Sequence, residues 1–329
     1  MPKTPSRRAA LGALAATSAA ASLGLWPALV SAQDRVVRFV LPNATGSGVD
    51  AITRAAQAAL GKALGATVVV ENQPGAGGVV GLQTLARSAP DANTLSVVSN
   101  NVVIFPSVLK SLPFDMPGDF TPIAMVGSTP IVLVVNPQKV AATNSREFIA
   151  LLKSKPDGLN FASGGTGTIL HLAAEMFLDE AKVTARHIPY KGVGPMVTDL
   201  IGGQVEFGTV ALPSVQQHIK SGALRAIGMC GGQRTAAAPD IPTFVEQGLT
   251  GYVVEAWFAV IGPKGMSAAN VKRVHDALVT AFNDPALKET MAKQGNTINI
   301  SSVEQAQAGF RSEMAKYAAL VKKAGVQPE

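Results

Sequence analysis

Cysteine is nearly absent. Cys230 stands alone in 329 residues, so neither an intramolecular disulfide nor a thiolate metal cluster can form. Histidine is scarce too: His171, His187, His218 and His275 are far apart, and none belongs to an HExxH or similar ligand pair, which argues against a metal site. Charged residues are only 15% of the chain and aromatic ones 5%, with no basic run interleaved with aromatics, so nothing marks a nucleic-acid partner. Enzyme motifs are missing as well. Residues 75–81 are one position out of register with GxGxxG, no GxxxxGK[ST] occurs, Ser163 is not in a GxSxG elbow, and no catalytic residue or cofactor site is evident. What is present is apolar: 47% hydrophobic residues supply packed cores and leave too little charge for disorder.

The first 32 residues read as an export signal. Lys3, Arg7 and Arg8 form a positive start, residues 9–29 are uncharged, and Val30, Ser31 and Ala32 offer small residues for cleavage near Ala32. Ser6-Arg7-Arg8 also fits a twin-arginine signal, so the export route stays open, but both routes end in the periplasm. No cysteine follows to carry a lipid anchor. The signal holds three basic residues and no acid, so the formal net charge of +6 falls to +3 in the mature chain. Its length suggests two domains at about 150 residues each.

Short β-branched runs alternate with helical patterns. The expected order is strand 36–41, helix 48–64, strand 67–71, helix 79–87 and strand 95–99, the signature of parallel strands covered by helices. Residues 120–138, interrupted by Pro122, Pro130 and Pro137, read as loop plus buried strand. A second cycle follows: strands at 131–135, 159–162, 184–188, 205–209 and 223–229, with helices between them at 145–155, 168–180, 194–202 and 213–221. A strand within 251–262 and amphipathic helices from 268 to 323 end the chain, and these helices are expected to return to the first domain.

Ligands of open α/β sheets sit beyond the carboxyl ends of strands. Two loops there are rich in small residues. The first, 42–50, carries Asn43, Thr45, Gly46, Ser47, Gly48 and Asp50; the second, 163–168, carries Ser163, Gly164, Thr166, Gly167 and Thr168. Their backbone amides at helix starts suit a carboxylate without any Arg or Lys in either loop. Read alone, both loops are better explained as glycine turns with Ser or Thr caps, and Asp50 equally as a cap or a ligand contact. His171 fits packing better than ligation, and Trp257 fits packing between domains better than ligand stacking.

Beyond these loops, an ordered series of strings resembles the periplasmic solute-binding proteins of tripartite tricarboxylate transporters, the Bug or TctC family. It includes ENQPGAGG at 71–78, LPFDMPGDFTPIA at 112–124, LNFASGGTGTILHLAAEMF at 159–177, IPYKGVGPMVTDLIGGQVEFG at 188–208 and WFAVIGPKGMS at 257–267. The resemblance implies an α/β, two-domain periplasmic-binding-protein type II (Venus flytrap) fold, each domain a mixed sheet flanked by helices. The expected domains are 33–132 plus 254–329, and 133–253. It implies a receptor that closes on a small carboxylate and delivers it to membrane permease subunits, as a monomer and not an enzyme. A module reporting to a sensor kinase is the alternative.

Departures from the family pattern shape the expected ligand. Asn43, Ala44, Ser47, Gly48 and Val49 replace a Pro-Pro-Gly-Gly-type stretch, Phe105 replaces a frequent Asn, and Val210 and Ala211 stand where a polar residue usually precedes Leu-Pro-Ser. Phe105, Val210 and Ala211 therefore join the candidate site. The cleft is expected to be less polar than usual, suited to an acid with an apolar or aromatic body rather than citrate.

Overall fold

A computed structural model describes residues 35–323 and 328, so the expected signal at 1–32 lies outside the described residues. Strand β1 (Val36–Leu41) leads into helix α1 (Gly48–Leu64), β2 (Thr67–Asn72), a 3-10 turn at Ala76–Gly78, α2 (Val79–Ala86), β3 (Thr94–Ser99) and α3 (Asn101–Val108). Strands β1, β2 and β3 are parallel, as their helical crossovers require. The chain then runs through β4 (Phe120–Thr129), turns at Pro130 and enters β5 (Ile131–Val135) in a different sheet. The second cycle comprises α4 (Ser145–Ser154), β6 (Asn160–Ser163), α5 (Ile169–Ala181), β7 (Arg186–Pro189), α6 (Val193–Ile201), β8 (Phe207–Ala211), α7 (Leu212–Lys220) and β9 (Arg225–Met229). The chain returns as β10 (Ala256–Pro263), followed by α8 (Ala268–Phe282), α9 (Pro285–Lys293), β11 (Thr297–Ile298) and α10 (Val303–Lys323).

Two mixed sheets result. The first has the order β11-β4-β10-β3-β1-β2 and the second β7-β6-β8-β5-β9. Each sheet with its helices forms a lobe. One hydrophobic core runs through the second lobe into the first, joining Phe161 and Phe207 to Val102, Val103 and Val108 of α3, while a separate core fills the space between β1, α1 and α8. Continuous burial at this junction gives the two lobes a common base.

Sequence periodicity misses β4 and α3, along with the two-residue β11 and the 3-10 turn at Ala76–Gly78. Residues 120–129, expected as loop, form β4, because Pro122 is paired with Ile261 beside a register shift, where a strand tolerates a missing N–H donor. Helix α3 has no amphipathic pattern to read: Asn101, Val102, Val103, Ile104 and Phe105 are all buried, so no polar face marks the 3.6-residue period. Trp257 packs inside the first lobe rather than between domains. Its Nε1 donates to Glu313 Oε2 at 2.7 Å, and its ring lies 5.5 Å from that of Phe310 on α10.

Candidate functional site

A cavity of about 650 Å³ opens between the lobes at the carboxyl ends of the parallel strands. The first residues or caps of α1, α3, α5, α6 and α7 all line it: Ser47 and Gly48, Asn101, Thr168 and Ile169, Gly192 and Val193, and Ala211. Each helix start presents N–H groups with no intrahelical acceptor and the positive end of its dipole. Among the described residues, Lys191 is the one charged residue of the wall, which includes no acid. The surroundings therefore favour an anion. Carbon from Leu109, Ile169, Leu170 and Val193 supplies the rest of the wall and suits an apolar body.

The structure brings Asn43, Ser47, Gly48, Gly164, Thr166, Thr168 and Ala211 of the sequence-derived candidates to the cavity wall. The others stand elsewhere. Thr45 and Gly46 are exposed at the rim. Asp50 is buried behind the first loop, where its carboxylate accepts from Gly46 N at 3.0 Å, Arg54 Nε at 2.8 Å and Asn72 Nδ2 at 2.9 Å. Asn72 Nδ2 also donates to the Asn43 carbonyl at 3.1 Å, so these side chains brace the loop from outside. Ser163 and Gly167 lie behind the second loop, hydrogen-bonded to His187 and His171 respectively. Phe105 packs against the 3-10 turn, and Val210 is buried inside β8.

Two wall residues hold polar atoms that the chain leaves unpartnered. Asn43 Oδ1 and Thr129 Oγ1 are buried without a hydrogen bond. Burying such groups unpaired costs about 1–3 kcal/mol each, so both are available to a ligand or to water. Tyr190 is different: its hydroxyl donates to Asp199 Oδ2 at 2.8 Å, and burial together with that bond pushes the phenol up to about 12, leaving it neutral. No group of His, Cys, Asp and Glu among the described residues could hold a metal ion.

Sequence reading missed Asn101, Thr129, Tyr190, Lys191, Gly192 and the 74–78 loop. Several were within reach. The rule that singled out the loops after β1 and β6 applies equally to those after β2, β3 and β7, and glycine-rich strings mark the ones after β2 and β7. Thr129 was not, since it ends a strand that the prolines disguise.

The lobes touch across the mouth. Asn101 Oδ1 accepts from Ile169 N at 2.8 Å, Ser214 Oγ donates to the Gly46 carbonyl at 2.9 Å, and a Cβ on Gly192 would lie 2.6 Å from that of Ala44.

Known proteins share this architecture. Protein BugT of Bordetella pertussis is 34% identical over 295 residues, covering 89% of this chain and 90% of that protein. The structure of periplasmic binding protein BugD matches with a TM-score of 0.85 at 31% identity, covering 90% of this chain and 99% of that one. MatC from Rhodopseudomonas palustris with bound malate matches with a TM-score of 0.78 at 27% identity, covering 87% and 99%. Residues 52–326 fit the model of the tripartite tricarboxylate transporter family receptor, so that this chain, with its two lobes closing on an anion-favouring cavity, belongs to that receptor family.

Proposed function

We propose that the protein is a periplasmic receptor that binds a small carboxylate with an apolar body in the interlobe cavity and delivers it to the membrane permease subunits of a tripartite tricarboxylate-type transporter. The family is one of solute receptors rather than enzymes. The observation that carries the ligand reading is the convergence of five helix starts on one cavity whose only charged residue, among the described residues, is Lys191. In the two loops, the N–H groups of Gly48, Val49, Gly164 and Thr166 have no acceptor among the described residues. Hydrogen bonds to a charged group contribute about 1.5–3 kcal/mol each, so three give about 5–9 kcal/mol, near the 8 kcal/mol of micromolar binding. Malate, bound to MatC, is likewise a small carboxylate.

The lobes in this reading follow the expected division, 33–132 plus 254–329 and 133–253, with the first crossing moved to Pro130, where β4 passes into β5, and the second where the chain enters β10. Ligand binding favours the closed arrangement because residues of both lobes contribute donors to one carboxylate, and an open cleft separates them.

A calorimetric panel of malate, citrate, and aromatic and branched monocarboxylates tests the ligand class. Binding of the apolar-bodied acids is the expected result; binding of citrate alone would overturn it. Uptake of the tightest acid should be lost when the permease subunits are deleted, and uptake without them would remove the delivery role.

A further inference from the structure

Behind the 163–168 loop, two imidazoles are stacked face to face with ring centroids 3.9 Å apart and planes 10° from parallel. They come from different elements. His187 lies on β7, opposite Phe161 of β6, and His171 lies in the first turn of α5. Phe161 extends the stack, 4.8 Å from the ring of His187 and 6.0 Å from that of His171. On the far side, His171 Nε2 is 3.4 Å from Glu175 Oε1.

Both rings grip the loop. His187 Nε2 lies 2.7 Å from Ser163 Oγ, which in turn accepts from Gly165 N at 3.2 Å. His171 Nδ1 accepts from Gly167 N at 3.1 Å, which fixes the neutral ring as the Nε2–H tautomer facing Glu175. The Gly165 carbonyl is held on the same side by Thr168 Oγ1 at 2.8 Å. An alternation follows along the loop. The N–H groups of Gly165 and Gly167 are consumed behind it, while those of Gly164 and Thr166, both cavity-lining residues, are left without an acceptor among the described residues. Gly167, at φ 72°, allows the reversal that this alternation needs.

We propose that His171 and His187 are positioning residues for the ligand: through Gly167 N and Ser163 Oγ they select which loop amides remain free to bind the carboxylate. The proposal rests on reading the cavity as the carboxylate site. It also explains two histidines in a place where neither touches the cavity.

The test replaces each ring by one that stacks but carries no nitrogen, and by a side chain that restores the nitrogen-bonding atom alone. With malate and benzoate as probes, His171→Phe and His187→Phe should each weaken binding about tenfold, the value of one hydrogen bond to a charged group. His171→Asn and His187→Gln, whose amides replace Nδ1 and Nε2, should stay within about twofold of the parent. Wild-type affinity in both Phe variants overturns the proposal, as does loss in the amide variants equal to that in the Phe variants with melting temperature unchanged. Amide ¹⁵N spectra of the ligand-free protein separate this from the receptor reading. If neither probe binds the parent, the receptor reading fails for those acids, and positioning is then judged by the spectra: displaced Gly164 and Thr166 signals in the Phe variants support it, and undisplaced signals overturn it.

Discussion

The Asn101 side chain of the first lobe accepts a 2.8 Å hydrogen bond from the backbone N–H of Ile169, the first residue of α5 in the second lobe. Both residues line the cavity, so the bond joins the two lobes at the candidate site. It satisfies one orphan donor of a helix start and ties closure to the site itself.

Asn101→Ala should therefore loosen the closed state without unfolding either lobe. The lost bond corresponds to about 1 kcal/mol, or about fivefold in carboxylate affinity, with a change in melting temperature of the ligand-free protein smaller than that of the complex. Calorimetry and thermal melts with and without ligand check this; an equal fall in both melts would make Asn101 a stability residue only.

Gly192 caps α6 at φ 112°, and a Cβ there would stand 2.6 Å from that of Ala44 in the opposite lobe. Gly192→Ala should strain the cap by about 1 kcal/mol and also wedge the cleft. Small-angle scattering should show a more open protein. Adding Ala44→Gly should restore closure but not the strain, and failure to restore it would place the effect in the backbone of α6.

Asp50→Ala should destabilise the protein by about 1–3 kcal/mol, since it strips partners from Gly46 N, Arg54 and Asn72 beneath the first loop. Urea denaturation reads the loss. An unchanged midpoint would show that this bracing is dispensable.

Burial, and then the neighbouring His171, lower the pKa of His187 from 6.5 to about 3. The unfolded chain therefore binds this proton first as the pH falls. The stability held by keeping the ring neutral is fully present above about 6.5 and drains as the pH falls toward about 3. Urea midpoints measured from pH 7 to pH 4 should decline, and His187→Gln should flatten that decline; parallel curves would assign the acid sensitivity to other groups.

Much of this protein was legible in its sequence. Helix α1 and strands β1 and β5 fall where their apolar spacing puts them, because each buries one face or both against a sheet or a neighbour and that demand is written locally. Glycine and small polar residues after β1 and β6 marked two loops, and both contribute to the cavity wall. Tertiary structure decided the rest. Only when the C-terminal helix α10 packs back on α3 are residues 101–105 all buried, which hides their period; Asn101 then stands at the cleft. The pairing of His171 with His187 joins a helix start to a strand that no spacing rule connects. The charge of the site followed the same course: composition showed only a chain with few charged residues, and the fold gave the site its positive potential by aiming five helix starts at one cavity.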